Sequence, residues 1–107
     1  MNIQAIIFGC ETVASTAEAK KTFFTLWQRG YKLAAVDLDK TKSDILLSTA
    51  KNLGVEPREC AVVEDAFSAI DAAKSKGMTT IGIGRTKNYI LADMCIFRLS
   101  ELLDIFR

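Results

Sequence analysis

Short apolar runs alternate along the chain with longer segments in which apolar residues recur at helical spacing. The runs are rich in β-branched residues, and most of them stop at a glycine or an acidic residue, which is typical of buried strands. Glycines follow several of the longer segments, as they do at the ends of helices. The pattern predicts strands at residues 3–8, 32–36, 61–64, 79–83 and 94–97, the last one short, and helices at residues 16–29, 39–53, 66–76 and 100–106.

This alternation of strand and helix predicts the fold class. Strands joined by helical crossovers lie parallel, with right-handed connections and helices on both faces of the sheet. The predicted strands are apolar almost throughout, as a sheet covered on both faces requires. We therefore predict a three-layer α/β/α fold with a doubly wound parallel sheet of four to five strands. A chain of 107 residues supplies one core and not two, so we expect residues 1–107 to form a single domain.

Composition narrows the range of partners and mechanisms. Fourteen basic and 13 acidic residues leave a net charge of +1, which indicates neither a nucleic-acid partner nor a membrane surface. The amino terminus lacks the basic start of a secretory signal, and three widely spaced cysteines form no CxxC pair, so we expect a cytoplasmic protein with reduced thiols. The chain contains no histidine, which excludes Ser-His and Cys-His catalysis.

Acidic residues follow three of the predicted strands. They are Glu11 after the first strand, Asp37 and Asp39 after the second, and Glu64 and Asp65 at the end of the third. Ligands of open parallel sheets bind outside the carboxyl ends of the strands, where these side chains would meet. Crowded carboxylates repel each other, and a divalent cation such as Mg²⁺ relieves that repulsion. Each of the aspartates also fits the simpler role of capping the helix that follows it.

The segment at residues 54–65, GVEPRECAVVED, continues as AIDAAK at residues 69–74, GM at 77–78 and IGIGR at 81–85. This stretch resembles the haloacid dehalogenase-like superfamily and, within it, the β-phosphoglucomutase branch. The resemblance implies a Rossmann-like fold and phosphatase or phosphomutase chemistry on a phosphorylated small molecule. It also implies that Glu64 and Asp65 hold Mg²⁺.

The segment at residues 5–13, AIIFGCETV, resembles the first motif of the same superfamily. In that motif one aspartate attacks phosphorus, and a second, two residues later, acts as general acid and base. Gly9 stands at the position of the nucleophile and Glu11 at that of the acid/base, where it could also be a metal ligand. Because glycine has no side chain that can attack, the resemblance implies a catalytically impaired domain.

Other parts of the family pattern are reduced. Helical residues follow Val13 so soon that the family's cap does not fit, and Asp37 stands where the family has a phosphate-binding serine or threonine. Lys40, in the segment KTKSDI, resembles the family's phosphate-binding lysine. That alignment requires one strand-and-helix unit to be missing, which gives the strand order 2-1-3-4-5. A rim without its cap is often covered by another subunit, so we expect a homo-oligomer.

Three alternative functions stay open. The segment DLDKT at residues 37–41 matches the D-x-D-x-T pattern of the superfamily's first motif, so Asp37 could be the nucleophile and Asp39 the acid/base of an active Mg²⁺-dependent phosphohydrolase. A receiver-like regulatory domain with Asp65 as phospho-acceptor, or a binding module without metal, also fits the predicted fold.

Overall fold

A computed structural model describes residues 2–9, 16–37 and 45–107 of the chain. Its centre is a parallel sheet with the strand order β2-β1-β3-β4-β5. The predicted fold class and strand order are therefore confirmed. The strands are β1 (Ala5–Gly9), β2 (Lys32–Val36), β3 (Cys60–Glu64), β4 (Thr79–Gly82) and β5 (Met94–Cys95).

Helices cover both faces of this sheet. They are α1 (Ala17–Gln28), α2 (Ile45–Leu53), α3 (Phe67–Ser75) and the short α4 (Leu102–Ile105), and single 3₁₀ turns occur at Pro57–Glu59, Gly84–Thr86 and Leu99–Glu101. The last predicted helix is thus shorter than expected, because its first turn is the 3₁₀ turn. The start of the second predicted helix, residues 39–44, lies outside the described residues.

The first helix shows how local sequence sets an element's limits. The Thr16 hydroxyl accepts a hydrogen bond from the Ala19 N–H at 3.1 Å, which satisfies one of the open donors of the first turn. The helix ends before Gly30, whose φ of 96° lies in the left-handed region that favours glycine. Both features agree with the predicted helix.

The core is divided by the sheet into two layers. On one face, Ile6, Phe8 and Val63 pack with residues of α1 and α4 such as Leu26 and Leu102. The other face is packed against α2 and α3, and its buried residues include Ala5, Ile7, Val62, Leu46 and Ala73. This arrangement is why the strands are apolar on both sides.

The two edges of the sheet differ in how they are held. At one edge, the Asp93 carboxylate accepts hydrogen bonds from the Thr80 N–H at 2.8 Å and the Thr80 hydroxyl at 3.1 Å, which fixes the start of β5 beside β4. At the other edge, the outer side of β2 pairs with no strand from the described ranges. None of the helices in those ranges is both long and apolar enough to cross a membrane.

Candidate active site at the carboxyl rim

The carboxyl ends of the three central strands bring several predicted site residues to one rim. In the β1–β3 register Phe8 lies beside Val63, so the next residues, Gly9 and Glu64, end neighbouring strands. On the other side Gly9 pairs with Val36, and Asp37 follows as an exposed residue. The remaining predicted site residues Glu11, Asp39 and Lys40 lie outside the described residues and stay predictions.

The Glu64 side chain occupies the space next to Gly9. A Cβ atom added to Gly9 would lie 2.5 Å from Glu64 Cδ and 2.7 Å from Oε1, and closer still to Oε2. Real atoms do not approach so closely, so Gly9 is the residue that leaves room for this carboxyl group. Glu64 itself is only 4% exposed. The acid that the sequence places at the rim therefore turns inward, toward Gly9 at the end of β1.

Burial changes the protonation of Glu64. Loss of solvent around its carboxyl raises the pKa of Glu64 to about 7, and the neighbouring Asp65 carboxylate adds to the rise. The Asp65 N–H opposes the shift by donating a hydrogen bond to Glu64 Oε1 at 2.9 Å. Near neutral pH, a substantial fraction of this carboxyl group is therefore protonated.

Asp65 lies at the rim beside a cation from the next loop. An Arg85 guanidinium nitrogen is 3.5 Å from Asp65 Oδ1, an ion-pair distance without a hydrogen bond. Within the described residues this buried Oδ1 atom has no hydrogen-bond partner. The sequence places Arg85 after the fourth strand but gives no sign of its pairing with Asp65, which depends on the 3₁₀ turn at Gly84–Thr86.

That turn is fastened to the end of β3 by a residue that the sequence analysis missed. The buried Thr86 hydroxyl donates to the Glu64 carbonyl oxygen at 2.6 Å and accepts from the Ile83 N–H at 2.9 Å. Gly82 permits this approach, because a Cβ there would lie 3.0 Å from the Thr86 carbonyl carbon. Threonine is common in loops, so Thr86 alone gives no signal in the sequence. The only sign of the contact between the turn and β3 is Gly82, four residues earlier, which leaves room for it.

The donors at the rim fit a hard divalent cation in kind but not in number. Glu64 and Asp65 offer adjacent carboxylates, one buried and one with an unsatisfied oxygen, and Mg²⁺ prefers such oxygen ligands. Within the described part of the chain, however, no group of three or more acidic or cysteine residues is arranged to hold a metal ion. Asp37 therefore does not complete a set with Glu64 and Asp65, and Gly9 supplies no side chain.

Two proteins of known sequence resemble this chain over part of their length. Beta-phosphoglucomutase of Bacillus subtilis is 40% identical over 63 residues, which cover 59% of this chain and 28% of that protein. The chloroplastic protein SUPPRESSOR OF QUENCHING 1 of Arabidopsis thaliana is 37% identical over 83 residues, covering 69% of this chain and 8% of that protein. The chain thus spans a minor part of both relatives, and no family model matches it.

Solved structures share the fold at low sequence identity. A beta-phosphoglucomutase from Clostridium difficile has a TM-score of 0.65 at 22% identity, covering 78% of this chain and 50% of its own. A predicted phosphoglycolate phosphatase from Haemophilus somnus also has a TM-score of 0.65, at 19% identity, covering 85% and 56%. A haloacid dehalogenase-like hydrolase from Streptococcus pneumoniae has a TM-score of 0.69 at 10% identity and covers 99% of both chains.

Proposed function

We propose that this chain is a β-phosphoglucomutase-like domain of the haloacid dehalogenase-like superfamily in which phosphoryl transfer is impaired while a cation site is kept. The observation that carries the proposal is the position of the Glu64 carboxyl group, which fills the space beside Gly9. The first motif has therefore lost the nucleophile and also the room for one. Only residues 10–16 separate β1 from α1, so a helical cap between them is missing as well.

Glu64 is a poor substitute for the missing nucleophile. Attack on phosphorus needs an ionised carboxylate that faces the bound phosphoryl group. Only 4% of Glu64 is exposed, and burial raises the pKa of its carboxyl group to about 7. It is therefore neither accessible to a phosphate ester nor fully ionised at neutral pH.

A divalent cation at the rim would be held by Glu64 and Asp65, with Glu11 as a third ligand. When bound, it would offset the negative charge of these carboxylates and offer a positive charge to the phosphate of a small molecule, to which Lys40 would add its own. The Arg85 guanidinium beside Asp65 opposes cation binding by like-charge repulsion. We therefore expect a weak site that needs millimolar Mg²⁺.

A reducing cytoplasmic location suits the thiols of Cys60 and Cys95, which are both free.

Phosphatase assays test the loss of catalysis. The protein should hydrolyse p-nitrophenyl phosphate with Mg²⁺ no faster than buffer does. Turnover that disappears in Asp37→Asn but survives in Asp104→Asn, an exposed acid on α4, would overturn the proposal. That result would support the alternative phosphohydrolase with Asp37 as nucleophile.

Calorimetric titration with Mg²⁺ tests the cation site. Binding should appear at millimolar Mg²⁺, disappear or weaken strongly in Asp65→Asn, and persist in the control Asp71→Asn, which changes an acid on α3 that bonds the Tyr89 hydroxyl instead. If no binding is seen, or if binding is unaffected by Asp65→Asn, the cation site must be discarded while the loss of catalysis stands.

A further inference from the structure

Helix α1 carries an exposed stripe on the side that faces away from the core. Lys20, Phe24 and Trp27 follow one another at helical spacing, and Phe24 and Trp27 are 57% and 65% exposed. Their rings lie 6.1 Å apart between centroids. Because Ala19 and Leu26 already anchor the helix to the sheet, this aromatic pair contributes little to the fold. Clustered exposed aromatic residues mark interaction sites on soluble domains.

An apolar hollow of ≈ 190 Å³ lies beside this stripe. Phe23, one helical turn before Trp27, forms one wall, and the others come from Phe8 and from residues 33–35 of the edge strand β2. A cavity of about 150 Å³ with apolar walls holds a benzene molecule, so this hollow has room for one aromatic ring. Lys20, Phe24, Trp27 and this hollow together form the surface that we call the α1 face.

We propose that the α1 face binds the α1 face of a second copy of this chain across a two-fold axis. The two α1 helices would run antiparallel, and an aromatic ring of each copy would enter the hollow of the other. Since ring and hollow lie side by side on one surface, that surface is self-complementary, as a two-fold interface requires. The interface is independent of the chemistry proposed for the carboxyl rim.

The distribution of charge along α1 favours this antiparallel arrangement. Lys20 lies near the start of the helix, and the last turn carries no basic residue. Arg29, just beyond the helix, is directed to the other side, where it donates to the carbonyl oxygens of Leu103 at 2.7 Å and Phe106 at 2.9 Å. An antiparallel pair therefore brings each Lys20 toward the carbonyl end of the other helix, where a cation is stabilised. A parallel pair would bring the two lysines together.

The exposed area is consistent with a weak dimer. Aromatic side chains can bury about 150–250 Å² each, so the exposed parts of four rings supply roughly 500 Å². The lysine stems, the walls of the hollow and the exposed Ala35 on β2 would add to this. A specific interface needs about 1,000 Å² in total, so the four rings supply about half of that area and the dimer should be weak.

Trp27 reports directly on this interface, because it is the only tryptophan of the chain. With increasing concentration of the wild-type protein, its emission should shift to shorter wavelength and its quenching by acrylamide should decrease. Sedimentation should show one equilibrium between the 11.8 kDa monomer and a dimer. A monomer at all concentrations up to the millimolar range would overturn the proposal, as would a mass that grows beyond the dimer.

Surface variants identify the face that is used. Phe24→Lys should raise the dimer dissociation constant about tenfold or more, as is common for a central aromatic residue. The matched control is Ile90→Lys, which also replaces an exposed apolar residue by lysine, at a position between β4 and β5 that is 92% exposed. This variant should change the dissociation constant less than about twofold. The opposite pattern, with Ile90→Lys disrupting the dimer and Phe24→Lys sparing it, would place the interface elsewhere and overturn the proposal.

Discussion

The carboxyl group of Glu64 lies against Gly9, with Glu64 Cδ only 2.5 Å from where the first side-chain atom of a larger residue would be. The two residues end neighbouring strands, so a side chain at position 9 and the Glu64 carboxyl group would compete for the same space. The glycine at position 9 and the inward position of Glu64 thus form one packing arrangement. The side chain of an aspartate introduced at position 9 would collide with this carboxyl group.

The first prediction concerns the free energy of unfolding of Gly9→Ala. Adding one methyl group here should cost about 1–3 kcal/mol, because it forces the Glu64 side chain out of its site. In a Glu64→Ala background the same substitution should cost less than about 1 kcal/mol, since the space is then vacant. Urea unfolding of the four proteins gives the coupling between the two positions.

Gly77→Ala is the matched control for this cycle. Gly77 has a φ of 79°, and no atom lies within 4 Å of a Cβ added to it. Gly77→Ala should therefore destabilise the fold only through the strained backbone conformation, which Glu64 cannot influence. The penalty of Gly77→Ala should therefore be the same in both backgrounds. Equal penalties for Gly9→Ala in both backgrounds would show that Glu64 does not occupy the space beside Gly9.

The second prediction concerns the buried hydroxyl of Thr86. Thr86→Val removes the bonds to the Glu64 carbonyl and the Ile83 N–H, and should lower the free energy of unfolding by about 1–3 kcal/mol. Thr25→Val removes an exposed hydroxyl that donates to the Lys21 carbonyl, and it should change the free energy of unfolding by less than about 0.5 kcal/mol. Chemical denaturation measures both, and similar losses would contradict a special role for Thr86.

Much of the fold could be predicted because it follows from patterns within short segments. The apolar runs gave the strands, and Gly30 marked the end of α1, since glycine tolerates the positive φ found there. The strand pattern places the acidic pair at residues 64–65 at the end of the third strand, and the family resemblance adds its expected role as metal ligands. The directions of the side chains could not be predicted, because they depend on contacts between residues far apart in sequence, such as Glu64 with Gly9 and Asp65 with Arg85.

The third prediction concerns stability in acid. Hydrogen bonding to Lys74 at 2.8 Å, with help from Thr80, lowers the pKa of Asp93 below its ordinary value of 3.8. The Asp93 carboxyl group therefore binds a proton more readily in the unfolded chain than in the folded one. Its contribution to the free energy of unfolding is complete above pH 3.8 and is lost as the pH falls through the lower pKa of the folded state. The measurement is urea unfolding between about pH 6 and pH 2.5.

The variant Lys74→Gln should weaken this acid dependence, because it removes the main cause of the lowered pKa. Lys51→Gln, which changes a lysine in the last turn of α2, is the control and should leave the dependence unchanged. The lysine and aspartate are both partly exposed, so we expect a small effect. An acid dependence that is identical in wild type and Lys74→Gln would show that the pairing of Lys74 with Asp93 does not contribute to it.

The fourth prediction concerns thiol reactivity. Burial, with a smaller contribution from Glu59, raises the pKa of Cys60 to about 11, so its thiol should not react with Ellman's reagent at pH 8 in the folded protein. Cys95 is exposed and should react. In a Cys10→Ser background, Cys95→Ser should remove the fast reaction and Cys60→Ser should leave it. Fast reaction that depends on Cys60 would mean that this part of β3 opens readily.

The last prediction separates the two cations that compete for Asp65. Arg85 lies 3.5 Å from Asp65 Oδ1, and its fixed charge lowers the attraction of the carboxylate for a divalent ion. Arg85→Gln should therefore tighten Mg²⁺ binding several-fold in calorimetric titration. Arg58→Gln, in the turn before β3 at the other end of that strand, is the charge-matched control and should leave the affinity unchanged. Weaker Mg²⁺ binding in Arg85→Gln would show instead that the guanidinium positions Asp65 for the ion, and equal tightening in both variants would show a general effect of net charge.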